Sequence, residues 1–323
     1  MRQPRDSPVR MAPKAMVLAL LGIAAALPYA ALKVVWVFGG TVGMADPAAF
    51  DGPVYLVANV ITLGMEMLAG VLLVALAHPV ELRLPAWLIV LLAYGAVGLL
   101  LPVAGIFLLT GGGSFVASVA GNGLQPWVYT MVYSGFTAQA IVLTILICRY
   151  ARQRRWNFGG PIAVPVGMVL TVALLVALLV TAAIVQSLWA AGATVGLGDE
   201  LDRQSGGAFR ASSAVHAATS LCAAVGGVAV LAIAPRELVS GRWWPSGLVF
   251  FGASACTMWG VYQLVAAIVL GRVEGLFDLV ATTRAVCGAL LTLVVFALLR
   301  RSLREISSPT PEAVARRPVE GAR

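Results

Sequence analysis

Charged residues are scarce in this sequence. Asp, Glu, Lys and Arg make up 11% of its 323 residues, and 60% are hydrophobic. A soluble domain carries about 25% charged residues. Apolar runs of about 20 residues, the length that crosses a bilayer, recur along the chain. The scarcity of charge therefore excludes an ordinary soluble domain and predicts an all-α integral membrane protein whose main partner is the lipid bilayer.

Catalytic and metal-binding motifs are also missing. The sequence contains no Walker loop, no pair of metal ligands at helical spacing and no G-x-S-x-G elbow. Its four cysteines fall inside apolar runs, at spacings unlike those of zinc or iron–sulfur ligands. These absences predict no cofactor and no metal, and the sequence offers no catalytic residue.

The basic residues that are present are distributed unevenly. Of the 22 Lys and Arg residues, 17 fall on the cytoplasmic side and three on the outer side when the N-terminus is placed in the cytoplasm. This bias fits the positive-inside rule and an even number of spans. Because the net charge of +8 sits at helix ends, it indicates membrane orientation and not nucleic-acid binding. We expect a plasma-membrane protein with both termini cytoplasmic. The eight predicted spans are 15–38, 54–78, 86–109, 126–148, 162–190, 210–234, 246–270 and 277–299.

One short element occurs twice. The stretch WVFGGTVGMAD at 36–46 matches WAAGATVGLGD at 189–199, and the offset is 153 residues. A second pair, PVEL at 79–82 and PREL at 235–238, has an offset of 156. Matched landmarks in the same order indicate a duplication. Since each copy has four spans, we predict two parallel four-helix repeats related by a pseudo-twofold axis along the membrane normal.

These landmarks divide the chain into four parts. Residues 1–14 form a cytoplasmic N-terminal segment, and the two membrane repeats cover 15–155 and 162–304. A Pro-, Ala- and charge-rich tail at 305–323 is predicted to be disordered.

Each copy of the repeated element ends in an aspartate, Asp46 or Asp199. Both elements are predicted to face outside. An aspartate there suits a cap for the next structured segment, and the alternative is a paired outer site built from the two carboxylates.

Few ionisable residues lie within the first four spans. Lys33 sits close to the outer end of helix 1, where a lysine can either snorkel to the interface or face the bundle. Its repeat counterpart is Gln186, so both copies keep a polar group at this level. Glu66 lies near the midplane, about 18 Å deep at 1.5 Å per residue. It is either a neutral carboxyl bonded to a neighbouring helix or a functional group.

Three polar residues stand out in the last four spans. Arg284 lies about eight residues into helix 8 and stays charged, so it needs a partner. Asp278 and Glu66 are the carboxylates expected to supply one, and we expect Glu66, Arg284 and Lys33 to meet inside the bundle. His216, near the outer end of helix 6, is either a satisfied polar residue or a ligand.

The stretch LPYAALKVVWVFGGTVG at 27–43 carries a family resemblance. On Pro28, Tyr29, Lys33, Trp36, Gly39 and Gly40, it resembles the opening of uncharacterised multi-pass membrane proteins of high-GC actinobacteria. That resemblance implies a plasma-membrane protein and supplies no catalytic residues.

Three classes of function fit these patterns. The first is a transporter or small-ligand-binding protein with a polar site between the repeats, where duplicated bundles commonly bind. The second is a non-transporting scaffold, sensor or immunity component whose polar residues specify helix packing. The third is an intramembrane enzyme that modifies lipid, which would need a convergent acid–base or metal set. The patterns specify neither the ligand, a small molecule or an ion, nor the oligomeric state.

Overall fold

Eight long α-helices make up most of the computed structural model. The structure describes residues 13–78, 85–113, 116, 123–153, 162–198, 206–235, 243–271 and 275–307. All eight helices are long and apolar enough to cross a membrane, and no strand forms among the described residues. In chain order they are α1 (Pro13–Val37), α2 (Pro53–Ala77), α3 (Ala86–Leu109), α4 (Pro126–Gln153), α5 (Val166–Ala190), α6 (Gly207–Ile233), α7 (Trp244–Leu270) and α8 (Leu276–Ser307).

For the part of the chain that the structure describes, the all-α prediction and the count of eight apolar helices are confirmed. The largest difference is at the end of α8, which continues to Ser307, past the boundary at 305 where the tail was predicted to start. Such an extension is expected where a helix leaves the bilayer and its residues turn polar. Residues 308–323 of the tail lie outside the described residues, as does the N-terminal segment up to residue 12.

Prolines and glycines set several helix boundaries. Pro53 follows Gly52 at the start of α2, where the proline ring suits the first helical turn because the missing N–H would have no partner there. Gly271 ends α7 in a left-handed conformation, the usual glycine cap. The ends of the helices are therefore encoded locally.

Each half of the chain packs around its own apolar core. One buried cluster joins α1, α2, α3 and α4, and another joins α5, α6, α7 and α8. Within each half the first helix packs against the second and the fourth, and the third packs against the fourth. The halves differ in one place: α6 and α7 pack extensively, but α2 and α3 touch only over a short stretch.

Helix α3 joins the two halves. It packs against α4 in its own half and against α7 and α6 in the other. The Tyr94 hydroxyl lies 2.8 Å from the Thr257 hydroxyl and 3.1 Å from that of Thr292, so hydrogen bonds cross the junction. The Tyr94 and Phe250 rings meet edge to face at 5.6 Å.

An apolar groove of about 730 Å³ opens beside this junction. Trp87 and Leu293, both more than half exposed, stand at its surface. Arg300 lies at one end, with its guanidinium over the Phe296 ring at 4.4 Å. The exposed apolar lining makes the groove continuous with the lipid-facing surface of the helices.

Candidate functional site

The two copies of the repeated element form the same local structure. At the end of α1, the Trp36 indole N–H donates to the Val42 carbonyl at 2.8 Å. At the end of α5, Trp189 donates to Val195 at 3.0 Å. Each tryptophan therefore folds the chain that follows it back over the end of its own helix.

The glycines of the element are required by its backbone. Gly39 and Gly192 have φ of +83° and +99°, and Gly43 and Gly196 have φ of +78° and +74°. Residues with a Cβ rarely adopt this region. The repeated residues therefore encode a tight turn, and this turn accounts for the motif without a ligand.

Asp46 caps the short 3₁₀-helix Pro47–Phe50 that follows the first element. Its Oδ1 accepts a hydrogen bond from the backbone N–H of Ala48 at 3.1 Å. The predicted capping role of Asp46 is therefore present. Asp199 lies outside the described residues, so the alternative of a paired outer site stays a prediction.

A first polar cluster lies between α1, α2 and α4. The Lys33 ammonium donates to Asn59 Oδ1 at 2.7 Å, and Gln139 Nε2 donates to Glu66 Oε2 at 3.1 Å. Lys33, Asn59 and Gln139 are buried, and Glu66 is half-buried. The structure therefore supports the prediction that Lys33 faces the bundle, over the alternative that it snorkels to the interface.

Aromatic rings surround the Lys33 ammonium. Its Nζ lies 4.9 Å from the Tyr29 ring centroid and 5.2 Å from that of Trp36. The ring quadrupoles stabilise a cation that has been taken out of water. The i, i+4, i+7 spacing of these three residues places them on one face of α1.

The first cluster forms a polar column along α2. Asn59 and Glu66 are seven residues apart and lie on one face, which places them about 10 Å apart along the helix axis. Asn59 Nδ2, Gln139 Oε1 and the Tyr55 hydroxyl are buried without a hydrogen bond of good geometry, and Tyr55 lies close enough to interact with Asn59. The column therefore keeps an amide donor and an amide acceptor without a well-formed hydrogen bond, and buried polar groups are seldom left in that state.

A second polar cluster lies between α6, α7 and α8. Arg284 and His216 are 0% and 2% exposed, and Arg284 Nη2 lies 2.9 Å from His216 Nδ1. The imidazole packs on the Trp259 ring, with centroids 5.3 Å apart. Trp259 in turn donates its indole N–H to the Leu99 carbonyl of α3 at 3.0 Å.

Two small side chains, Ser220 and Cys256, lie beside the Arg284–His216 pair. The Ser220 hydroxyl donates to the His216 carbonyl at 2.9 Å and lies 3.5 Å from Cys256 Sγ. The Cys256 thiol interacts electrostatically with the guanidinium. Arg284 Nε, Arg284 Nη1 and His216 Nε2 are buried without a hydrogen-bond partner.

The predicted meeting of Glu66 and Arg284 does not occur. Glu66 bonds to Gln139 in the first half, whereas Arg284 bonds to His216 and interacts with Cys256 in the second. Asp278, the other expected partner, lies in the first turn of α8, six residues before Arg284. The physical reason is depth: His216 and Arg284 are nine and eight residues from the first residues of α6 and α8, whereas Glu66 is thirteen residues from the first residue of α2.

Several residues of the two clusters were missed or left unassigned by the sequence reasoning. The sequence analysis did not single out Asn59 and Gln139, because a neutral amide has no charge that requires an oppositely charged partner. Gln186, a predicted site residue, is 2% exposed in α5 and belongs to neither cluster. The feature of the sequence that could have predicted the Arg284–His216 pair is the similar distance of the two residues from the first residues of their helices. Among the described residues, no three His, Cys, Asp or Glu side chains lie together in a way that could hold a metal ion.

These features define a multi-pass membrane protein with eight apolar helices and two buried polar clusters. No protein-family model, curated protein or solved structure matches the chain.

Proposed function

We propose that this protein binds a small polar ligand at the first polar cluster and transports it across the plasma membrane. The observation that carries the proposal is the buried column in which Asn59 Nδ2 and Gln139 Oε1 have no hydrogen bond of good geometry. Within a bilayer, ionisable residues such as Lys33 and Glu66 are costly, face the bundle interior and mark substrate or ion pathways.

The chemistry of the column indicates the class of ligand. Lys33 supplies a cation, Glu66 a carboxyl group, and the two amides one donor and one acceptor. A small molecule that carries both hydrogen-bond donors and acceptors complements this set, whereas an apolar ligand does not. Helix α2 packs mainly against α1, and its contact with α3 is short. The rest of its surface has few protein neighbours, so this helix has room to move.

We also infer that the two halves are repeats related by a pseudo-twofold axis along the membrane normal. The equal caps at Trp36 and Trp189 support this relationship. So does the ring contact between Tyr94 and Phe250, which are 156 positions apart, the offset of the second sequence landmark. Residues that meet their own counterparts lie at a twofold axis.

Orientation in the plasma membrane is inferred from the charge bias. With 17 basic residues inside and three outside, both termini are cytoplasmic and both repeated elements are external. The first cluster then lies in the outer half of the membrane and reaches the midplane at Glu66. A ligand would enter it from outside.

Thermal-shift screening of the purified protein tests ligand binding. The panel is amino acids, sugars, nucleosides and small ions, measured with wild type, Gln139→Leu and Gln186→Leu. We expect a compound that raises the apparent Tm of wild type and Gln186→Leu but not of Gln139→Leu, because only Gln139 belongs to the column. Uptake of that compound into proteoliposomes would then test transport. Equal stabilisation of all three proteins would contradict the proposed site.

Labelling with a water-soluble thiol reagent tests whether the column is accessible to water. Glu66→Cys and Met65→Cys are compared in a background without the native cysteines. Met65 is the matched control because it adjoins Glu66 and is 47% exposed on the lipid-facing side. A transport pathway predicts labelling of Cys at 66 and not at 65. No labelling at either position would contradict an aqueous pathway.

The non-transporting scaffold is the second candidate, and one observation favours it. The junction of the halves is tight, since a Cβ on Gly98 would lie 2.5 Å from the Ser254 carbonyl oxygen. Rocking of one half against the other would have to break this packing. The labelling experiment decides between the two candidates, because a scaffold predicts a dry column.

A further inference from the structure

The second polar cluster supports a separate proposal about ligand chemistry. We propose that Arg284 and His216 bind a small monovalent anion, a halide or the carboxylate of a small organic acid. The site lies in the outer half of the membrane, between α6, α7 and α8. It shares no residue with the first cluster, so it stands independently of the proposed transport function.

The hydrogen bond between the two side chains fixes the state of the histidine. Arginine has only donors, so His216 Nδ1 must accept the bond from Arg284 Nη2. The imidazole is therefore neutral, with its proton on Nε2. The pair as a whole carries the single positive charge of the guanidinium.

This assignment leaves an excess of donors. Arg284 Nε, Arg284 Nη1 and His216 Nε2 all carry hydrogen, and none of the three has an acceptor. Both side chains are more than nine-tenths buried. A buried group of N–H donors with a net positive charge and no acceptor is complementary to an anion.

The hydrogen bond of Arg284 to His216 brings no negative charge to the guanidinium, because the imidazole is neutral. The other interaction shown for the guanidinium is with the Cys256 side chain. An uncompensated charge in the bilayer core is strongly unfavourable, and arginine does not readily lose its proton. A monovalent anion balances the cluster, and a divalent anion would overcompensate it.

The size of the ligand follows from the packing. Ser220 and Cys256 have no solvent exposure, and Trp259 covers one face of the imidazole. These close neighbours favour a halide or a short carboxylate over a bulky oxyanion.

Anion-dependent thermal stability tests the proposal with the full-length protein. Sodium bromide and sodium acetate are each compared with sodium gluconate, whose anion is bulky, at equal ionic strength. We expect bromide or acetate to raise the apparent Tm of wild type by several degrees, because a ligand that binds only the folded state stabilises it. The same shift is expected for the control Arg210→Gln, an outer arginine that bonds to the Ala190 and Ala191 carbonyls.

Two variants should lose the shift. His216→Phe keeps a ring against Trp259 and removes the Nε2 donor, and Arg284→Met removes the charge. If Arg284→Met does not fold, His216→Phe alone decides the result. A shift with bromide only assigns a halide site, a shift with acetate only assigns a carboxylate site, and a shift with both supports the shared chemistry. Equal Tm values in all three salts for wild type, or equal shifts in His216→Phe, would overturn the proposal.

Fluorescence quenching provides a second readout. The Trp259 ring centroid is 5.3 Å from that of His216, so bromide at the site would quench this indole. We expect a saturable component of quenching in wild type that is absent from Trp259→Phe and from His216→Phe. Quenching that rises without saturation and equally in all three proteins would overturn the site.

Discussion

Gly98 of α3 lies directly against Ser254 of α7. A Cβ at position 98 would stand 2.5 Å from the Ser254 carbonyl oxygen and 2.6 Å from Met258 Cγ. Small residues at such crossings let helix backbones approach closely in a membrane. The contact between the two halves of the protein therefore depends on the absence of a side chain at one position.

Gly98→Ala should lower the thermal stability of the purified protein. The added methyl group forces the backbones of α3 and α7 apart, and overpacking of this kind usually costs about 1–3 kcal/mol. Gly95→Ala is the matched control, because it is three residues earlier on the same helix and a Cβ there would meet nothing within 4 Å. We expect Gly95→Ala to be neutral or slightly stabilising. Equal behaviour of the two variants would show that the crossing is not tight.

Trp36→Phe and Trp189→Phe should destabilise the protein by similar amounts. Each replacement keeps an aromatic ring and removes one indole N–H, whose bond closes the turn after α1 or α5. A net loss of about 0.5–1.5 kcal/mol is expected for each, measured by thermal or denaturant unfolding in one detergent. Trp87→Phe, at a residue that is 61% exposed, is the control and should have little effect. A loss in only one of the two variants would contradict an equal role for the caps.

Arg284→Met and His216→Phe should show strong energetic coupling. Removing either partner leaves the other buried without its hydrogen bond, so the double change should recover part of the loss. Interaction energies of about 0.5–3 kcal/mol are typical of residues in contact. A double-mutant cycle on unfolding free energies measures this coupling, and additive losses would contradict the contact.

Arg284→Met and Glu66→Gln should instead be additive within about 0.5 kcal/mol. The two residues belong to different clusters and share no hydrogen-bond partner. The same double-mutant cycle applies, with the Arg284–His216 pair as the positive control. Coupling above 1 kcal/mol would restore the direct pairing that the sequence suggested.

Reporter fusions test the orientation of the chain. A cytoplasmic reporter placed after Arg155 should be active, and one placed after Gly198 should be inactive, because the charge bias puts these positions on opposite sides. A periplasmic-type reporter should give the reverse pattern. Two positions with the same response would contradict the eight-span topology.

The helices could be predicted from the sequence because hydrophobic length is a local property. Each span needs about 20 apolar residues, and that signal is present without knowledge of any neighbour. The repeated element was also visible in the sequence, since its Trp, Gly and Thr residues recur at 36–43 and 189–196, whereas the hydrogen bonds of the two tryptophans were seen only in the structure. The end of α8 was placed too early because a helix that leaves the bilayer no longer needs apolar residues.

The contents of the polar clusters were harder to predict because partners depend on the packing of helices. Charge balance suggested that Glu66 and Arg284 meet, yet neutral Gln139 and His216 take those roles. A neutral amide or imidazole can accept a hydrogen bond from a charged side chain, or donate one to it, without carrying the opposite charge, so charge balance alone does not identify the partner. Helices α2 and α3 pack less closely against each other than α6 and α7 do. No pattern in the sequence indicates this difference.

The groove beside the junction has a consequence for purified samples. Its apolar lining, which includes Leu293 and Phe296, faces acyl chains in the membrane. After extraction, detergent or retained phospholipid must fill the space, since water in an apolar groove is unfavourable. Arg300 at one end would favour amphiphiles with an anionic head. The amount of lipid removed during purification therefore affects the measured stability of the protein. Stability values are comparable only between samples of matched lipid content.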